Sequence, residues 1–135
     1  MLERECIQSR GFRNVLSQGK IIGFQFNIRS LYYRGLWLSQ LRPATITVDG
    51  ETFSGDQITW TINGVTYEQE DMLKLGDVHW GLLEPATLTV RKDGGLKSGS
   101  HDIELTYQYS SSYFPPAMDT LLSSAPHNRK LILVQ

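Results

Sequence analysis

Three histidines, one cysteine and a knot of carboxylates are the groups in this sequence whose chemistry could act on a substrate. His79, His101 and His127 stand far apart and lack the short spacing that places two imidazoles on one metal. A metal site would need the fold to gather them with carboxylates; otherwise each is an ordinary surface or hydrogen-bonded imidazole. Glu68, Glu70 and Asp71 are the densest acids. A glycosidase holds two carboxyls across a cleft, whereas acids this close in sequence suit the first turn of a helix, where the dipole favours them. Cys6 lies beside Glu5, with Arg4 as its nearest base, so little stabilises a thiolate. Gly94-Gly95 has no following Lys-Ser/Thr and opens no helix, so it is not a phosphate loop. No catalytic residue and no metal ligand is therefore assigned to this chain.

Two segments have the chemistry of contact rather than catalysis. Residues 31–38 read Leu-Tyr-Tyr-Arg-Gly-Leu-Trp-Leu, and Tyr, Trp and Arg each combine a large contact area with a polar handle. A strand here would set Tyr32, Arg34 and Leu36 on one face and Tyr33, Gly35 and Trp37 on the other. It is either an interface strand or a core strand whose tyrosines find partners. The second segment, residues 110–128, carries Tyr113, Phe114, Pro115, Pro116, Met118, Leu121 and Leu122 with no clear strand. A loop this long in a compact domain is usually functional or disordered, and these side chains are costly to leave in water. It either contacts another chain or folds back as a satellite cluster.

The elements that must position these segments follow from composition and period. A chain of 135 residues, 40% hydrophobic and 20% charged, has enough apolar material for one core and fits a single domain over residues 1–135. Thirteen basic against 14 acidic residues leave a net charge of −1, which argues against a nucleic-acid footprint. The lone Cys6 excludes an internal disulfide framework and points to a reducing, cytoplasmic setting. The opening Met-Leu-Glu-Arg-Glu puts three charges where a signal peptide would need a growing apolar stretch, so none is expected. The longest aliphatic run, Leu131 to Val134, is far short of the ~20 residues a spanning helix needs. A soluble chain without membrane or nucleic-acid partners is expected.

The dominant period is two. Phe24, Phe26 and Ile28 alternate with Gln25 and Asn27; Ile46 and Val48 with threonines; Ile58, Trp60 and Ile62 with Thr59 and Thr61; Leu88 and Val90 with Thr87 and Thr89. Ile103, Leu105, Tyr107 and Tyr109 complete the set. Such alternation turns one side-chain set to a core and the other to water. Asp49-Gly50 and Asn63-Gly64 are type I′ hairpin signals, and a longer glycine-rich connection follows Asp93. The pattern predicts an all-β, antiparallel β-sandwich, jelly-roll-like, with one short helical turn near Thr66-Tyr67-Glu68-Gln69, which could form a capping box. Leu131-Ile132-Leu133-Val134 is continuously apolar and is expected to be buried on both faces.

Several stretches, in order, resemble the β subunit of bacterial C-glycoside deglycosidases. They are Gly23-Phe24-Gln25-Phe26 with Arg29, Tyr32-Tyr33-Arg34-Gly35-Leu36, Thr47-Val48-Asp49-Gly50-Glu51, Gly64 with Tyr67 and Met72, and Glu84-Pro85-Ala86-Thr87-Leu88-Thr89-Val90. Gly94-Gly95-Leu96, Gly99 with His101, and Ser112-Tyr113 with Pro115 complete the pattern. Glu68-Gln69-Glu70-Asp71 receives no role from it.

The resemblance implies a β-sandwich bound to a larger α subunit, a sugar-isomerase-like (β/α)₈ barrel. That subunit would hold a divalent metal, commonly Mn²⁺, and the acid–base residues that cleave 3-oxo-C-glycosides. It implies no cofactor on this chain, and it makes Tyr32, Tyr33, Arg34, Trp37, Tyr113, Phe114 and Pro115 the candidate partner interface. Two other readings remain open: a carbohydrate-binding sandwich stacking sugars on Trp37, Trp60 or Trp80, and a subunit of a related barrel acting on 3-oxo O-glycosides.

Overall fold

The structure, a computed structural model, describes residues 6–29, 36–37, 44–72, 79–81, 85–106, 108–110, 121–123 and 127–133. The strands are β1 (Arg13–Ser17), β2 (Lys20–Arg29), β3 (Leu36–Trp37), β4 (Thr45–Val48), β5 (Glu51–Phe53), β6 (Ile58–Ile62), β7 (Val65–Glu68), β8 (His79–Trp80), β9 (Pro85–Arg91), β10 (Gly99–Thr106), β11 (Gln108–Ser110), β12 (Leu121–Ser123) and β13 (His127–Leu133). A 3-10 turn at Gly55–Gln57 and one helical turn, α1 (Gln69–Met72), interrupt them. A five-stranded sheet runs β1-β2-β9-β6-β7 and a four-stranded sheet runs β13-β10-β4-β5. Every ladder among the described strands is antiparallel. The expected all-β sandwich is the observed architecture.

Alternation decides which side chains form the core. Phe24, Phe26 and Ile28 of β2, Ala86, Leu88 and Val90 of β9, and Ile58, Trp60 and Ile62 of β6 are buried from one sheet. Ile46, Val48, Phe53, Ile103, Leu105, Leu131 and Leu133 are buried from the other and join the same cluster. Across the two layers the rings of Phe24 and Phe53 meet edge-on at 5.6 Å and 74°, an arrangement that sets the positive edge of one ring on the negative face of the other. On the solvent side, threonine pairs bridge neighbouring strands: Thr47 with Thr52 at 3.1 Å and Thr61 with Thr66 at 2.8 Å.

The turns follow the expected chemistry and add one. Asp49-Gly50 joins β4 to β5 with φ of 50° and 90°, and Asn63-Gly64 joins β6 to β7 with 54° and 81°. Gln18-Gly19 makes a third turn of this kind, at 51° and 80°, between β1 and β2. It was hidden because glutamine is not a residue that favours the left-handed region.

Three expectations need correction. Leu131-Ile132-Leu133 is apolar without being buried on both sides, because its sheet turns one face to the core and the other to water, as the alternation of the internal strand β10 also shows. Leu131 and Leu133 point inward while Ile132 is 69% exposed. The helical turn does not start from a Thr66–Gln69 capping box: Thr66, Tyr67 and Glu68 are strand residues paired with Thr61, Trp60 and Thr59. The reciprocal cap lies instead at the 3-10 turn, where the Ser54 N–H donates to Gln57 Oε1 at 3.2 Å. Finally, residues 110–128 contain a strand, β12, which pairs with β11. Among the described residues no helix is long and apolar enough to cross a membrane.

Gly23 shows how tightly the central strands approach. A Cβ at this position would lie 2.0 Å from the Val90 carbonyl oxygen, a backbone atom that cannot swing aside. Gly23→Ala should therefore cost about 1–3 kcal/mol. Thermal denaturation should show a midpoint lowered by several degrees, and an unchanged midpoint would mean that β2 and β9 do not pair in this register.

Candidate functional site

Six of the seven residues expected at the partner interface, Tyr32, Tyr33, Arg34, Tyr113, Phe114 and Pro115, lie outside the described residues. The seventh, Trp37, has its backbone opposite His79 in the β3–β8 pair. The other two tryptophans are not surface platforms. Trp60, already expected in the core, and Trp80 are both fully buried and meet edge-on at 5.6 Å and 75°. A sugar cannot stack on either ring, which corrects the carbohydrate-platform reading for both.

The most developed polar site is the junction between the β4–β5 turn and the loop that leads into β10. The type I′ turn lifts Asp49 beside β10, where its Oδ1 accepts the Asp102 N–H at 2.9 Å. Its Oδ2 lies 2.6 Å from His101 Nδ1. The other ring nitrogen, Nε2, lies 2.6 Å from the Lys97 carbonyl oxygen. Phe12 closes the ring from the side, edge-on at 6.0 Å. Glu51, the next residue but one after Asp49, pairs with Lys92 at the start of the same loop at 3.0 Å. Asn14 holds the loop's middle, donating to the Leu96 carbonyl at 2.8 Å and accepting the Leu96 N–H at 2.9 Å.

Electrostatics at this junction favour an ion pair. Burial works against a charged His101, but the Lys97 carbonyl, the hydrogen bond to Asp49 and the Asp49 charge together outweigh it and raise the ring above its ordinary value. The Asp49 carboxyl is held below its ordinary value, chiefly by the Asp102 N–H and then by His101. The signs follow by linkage. The stabilisation from His101 is complete below the unfolded imidazole value and fades as pH rises through the raised folded one. That from Asp49 is complete above the unfolded carboxyl value of 3.8 and fades as pH falls through the lowered one. Asp49→Asn keeps a residue suited to the left-handed turn but removes the charge. It should lower the melting temperature clearly at pH 6 and by progressively less as the pH is taken down below 3.8; a loss that does not change with pH would mean the charge contributes nothing.

A second polar centre lies where the sequence assigned no role. Gln69, the first residue of α1, is buried. Its Oε1 accepts the Ala44 N–H at 2.8 Å and the Trp60 Nε1–H at 2.9 Å, while its Nε2 donates to the Gly55 carbonyl at 3.0 Å. One amide thus ties the entry to β4, the middle of β6 and the 3-10 turn. A glutamine flanked by acids looks like a helix cap in sequence; only the three distant partners show its role.

The remaining chemistry-bearing residues also have structural places. Glu68 at the end of β7 forms an ion pair with Arg91 at the end of β9, across the intervening strand β6, and Arg91 also donates to the Asp56 carbonyl. The Glu68 hydrogen bond raises the Arg91 guanidinium further above its already high value. Glu70 and Asp71 occupy the exposed first turn of α1. Cys6 is buried, its Sγ 3.5 Å from the Arg29 carbonyl. His127 opens β13, and burial pushes its pKa down. Arg129 reaches back to the Ile7 carbonyl at 2.9 Å. Among the described residues no three His, Cys, Asp or Glu side chains come together as metal ligands.

Against this geometry, residues 2–113 match the model of the C-glycoside deglycosidase beta subunit family. The chain belongs to this family. A relative from Eubacterium cellulosolvens, named C-glycoside deglycosidase beta subunit, is 47% identical over 116 residues, covering 85% of this chain and 79% of that protein. A relative from a Microbacterium species, named 3'-dehydrocarminate deglycosidase beta subunit, is 35% identical over 97 residues, covering 70% of this chain and 71% of that protein. The family resemblance read from sequence is thereby confirmed. In this beta-subunit chain, Asp49-Gly50-Glu51, Gly94-Gly95-Leu96 and Gly99 with His101, separate in sequence, meet at the one junction described above.

Proposed function

We propose that this chain is the small, non-catalytic subunit of a C-glycoside deglycosidase, bound to a larger barrel subunit that performs the chemistry. The observation that carries the proposal is its 47% identity to a protein named as the beta subunit of such an enzyme. The described side chains agree with it: Asp49, His101, Glu68 and Gln69, the polar groups best placed for catalysis, are engaged in holding turns and strands. Their geometry offers no metal cage among the described residues, so no step is assigned to a metal on this chain.

The proposed reaction explains why such a subunit needs a partner. A sugar joined to an aryl ring through carbon has no glycosidic oxygen whose lone pair assists departure. A ketone at C3 acidifies the proton on C2. A base removes that proton, the C2–H electron pair forms the C1–C2 double bond, and the C1–aryl bond breaks with its electrons going to the aglycone, which is then protonated. A divalent metal, Mn²⁺ by the family resemblance, would stabilise negative charge on the C3 oxygen. The overall step is a β-elimination, hence a lyase reaction on a 3-oxo-C-glycoside such as an oxidised flavonoid C-glucoside. The Microbacterium relative is named for a 3'-dehydro substrate, which agrees with an oxidised sugar. Base and metal belong to the sugar-isomerase-like α subunit; this chain stabilises the barrel or shapes the mouth of its pocket, in the cytoplasm.

The test is a native pull-down of the full chain from its host, with partners identified by mass spectrometry. A stoichiometric sugar-isomerase-like barrel, active on 3-oxo-C-glycosides, is the expected result. The chain recovered alone, folded and monomeric, would overturn the subunit assignment. The triple change Arg34→Glu, Tyr113→Ala and Phe114→Ala should reduce co-purification at least tenfold, since aromatic and Arg anchors each contribute on the order of 2 kcal/mol at a hot spot. Undiminished association would remove these residues from the interface.

A further inference from the structure

We propose that protonated His101 is a clasp holding the loop of residues 92–98 against the sandwich, and that loss of one ring proton opens the loop at Lys97 while the Asp49 contact stays. The loop is fastened in three places. Its start is pinned by the Lys92 N–H to the Ile22 carbonyl and the Gly94 N–H to the Ile21 carbonyl, both at 3.0 Å. Its middle is pinned by the Asn14–Leu96 pair, and its end by His101 and the Lys97 carbonyl.

The two ring nitrogens both face oxygens that only accept: a carboxylate at Nδ1 and a carbonyl at Nε2, each at 2.6 Å. A neutral imidazole carries one N–H and one lone pair, so it can satisfy one of the two and must oppose the other. The imidazolium satisfies both. When one proton leaves, the remaining N–H stays with the stronger acceptor, the charged carboxylate. Asp49 is itself fixed by the Asp102 N–H and does not swing away. The Nε2 lone pair then meets the Lys97 oxygen, and the loop is the part free to move. Gly95 and Gly99, at φ of 61° and 122°, flank Lys97 and supply the backbone freedom.

The surrounding groups leave the ring as the titrating member. Asp49 faces it from the β4–β5 turn, and Asp102 follows it on β10. Lys130 of β13 lies 3.8 Å from Asp102 and acts on Asp49. Lys92, Asp93 and Lys97 line the groove beside it, about 400 Å³ in volume. Phe12, from the N-terminal segment, and Leu131, opposite on β13, are apolar. This inference stands on the geometry alone and does not depend on the subunit reading.

The test is a histidine ¹⁵N titration of the full chain from about pH 5.5 to 9, spanning the imidazole range, read together with amide exchange. The ring should pass from doubly protonated to the Nδ1–H tautomer. The opening at Lys97 loosens the adjacent Asn14–Leu96 pair, so in the same step the protection factor of the Leu96 amide should fall about tenfold, the size of one hydrogen bond's contribution, while that of Asp102 stays constant. His101→Gln cannot donate to both oxygens, so its Leu96 protection should already be low at pH 6. An Nε2–H tautomer at high pH, or Leu96 protection that is flat through the titration, would overturn the clasp. If the variant does not fold, the wild-type titration decides alone.

Discussion

Gln69→Leu should destabilise the chain by about 3–5 kcal/mol, because leucine fills the space and removes every hydrogen bond of the amide. The Ala44 N–H and the Trp60 Nε1–H each lose an acceptor, and the Gly55 carbonyl loses a donor. A buried polar group stripped of its partner costs about 1–3 kcal/mol, more than the bond contributes while intact. The effect is therefore larger than removal of one side chain from a surface turn suggests. Urea denaturation should show a lower midpoint with the slope unchanged, since the surface exposed on unfolding is the same. The neighbouring change Glu70→Ala, at an exposed position, should change the stability by no more than about 0.5 kcal/mol. If the two variants behaved alike, Gln69 would be a surface residue of the helical turn and the buried amide would be wrong.

Trp80→Ala is the second large effect, also expected at about 3–5 kcal/mol. The indole is fully buried and edge-on to Trp60, so its removal leaves a cavity beside a second aromatic ring that cannot move to fill it. Trp80→Phe keeps a ring in place and should lose less than half as much. Near-UV circular dichroism should change in both variants, because Trp60 loses its ring partner in one and meets a smaller ring in the other. The same pair of variants bears on function. A sugar platform would let glycan binding fall while stability held; the buried pair requires the reverse, a folding defect with no glycan dependence. Stability unchanged in Trp80→Ala would reopen the platform reading.

Much of the fold was legible because the strands alternate so cleanly. Isoleucine, leucine and valine interleaved with threonine announce one buried and one wet face, and β4, β9 and β10 follow the pattern residue by residue, while in β6 Thr59 is buried as well. Two hairpins were legible because Asp-Gly and Asn-Gly are nearly the only dipeptides comfortable at positive φ in both places. Ile132 was misread because an apolar run does not say whether a second layer covers the outer face of its sheet, where Ile132 is exposed. Gln69 was missed because its partners come from three separate places in the chain. His101 and Asp49, 52 residues apart, both appeared in the family pattern, but no spacing rule links a turn aspartate to a strand histidine. The aromatic contact segments remain legible only as composition, since Tyr32 to Arg34 and Tyr113 to Pro115 lie outside the described residues.

The order in which the sheets are threaded has a consequence for how the protein is made. Asn14 waits for Leu96, 82 residues downstream, and β2, flanked on one side by its hairpin partner β1, takes β9 on the other rather than any strand made between them. A chain emerging from the ribosome therefore holds β1 and β2 as an isolated hairpin, marginal in water, until β9 has been synthesised. Closing such long loops places the domain among slow folders, on the scale of milliseconds to seconds. For most of that interval Phe24, Phe26 and Ile28 lack the neighbouring strand β9 that fixes β2 in its sheet, so yield on expression should depend more on temperature and synthesis rate than on the stability of the finished fold.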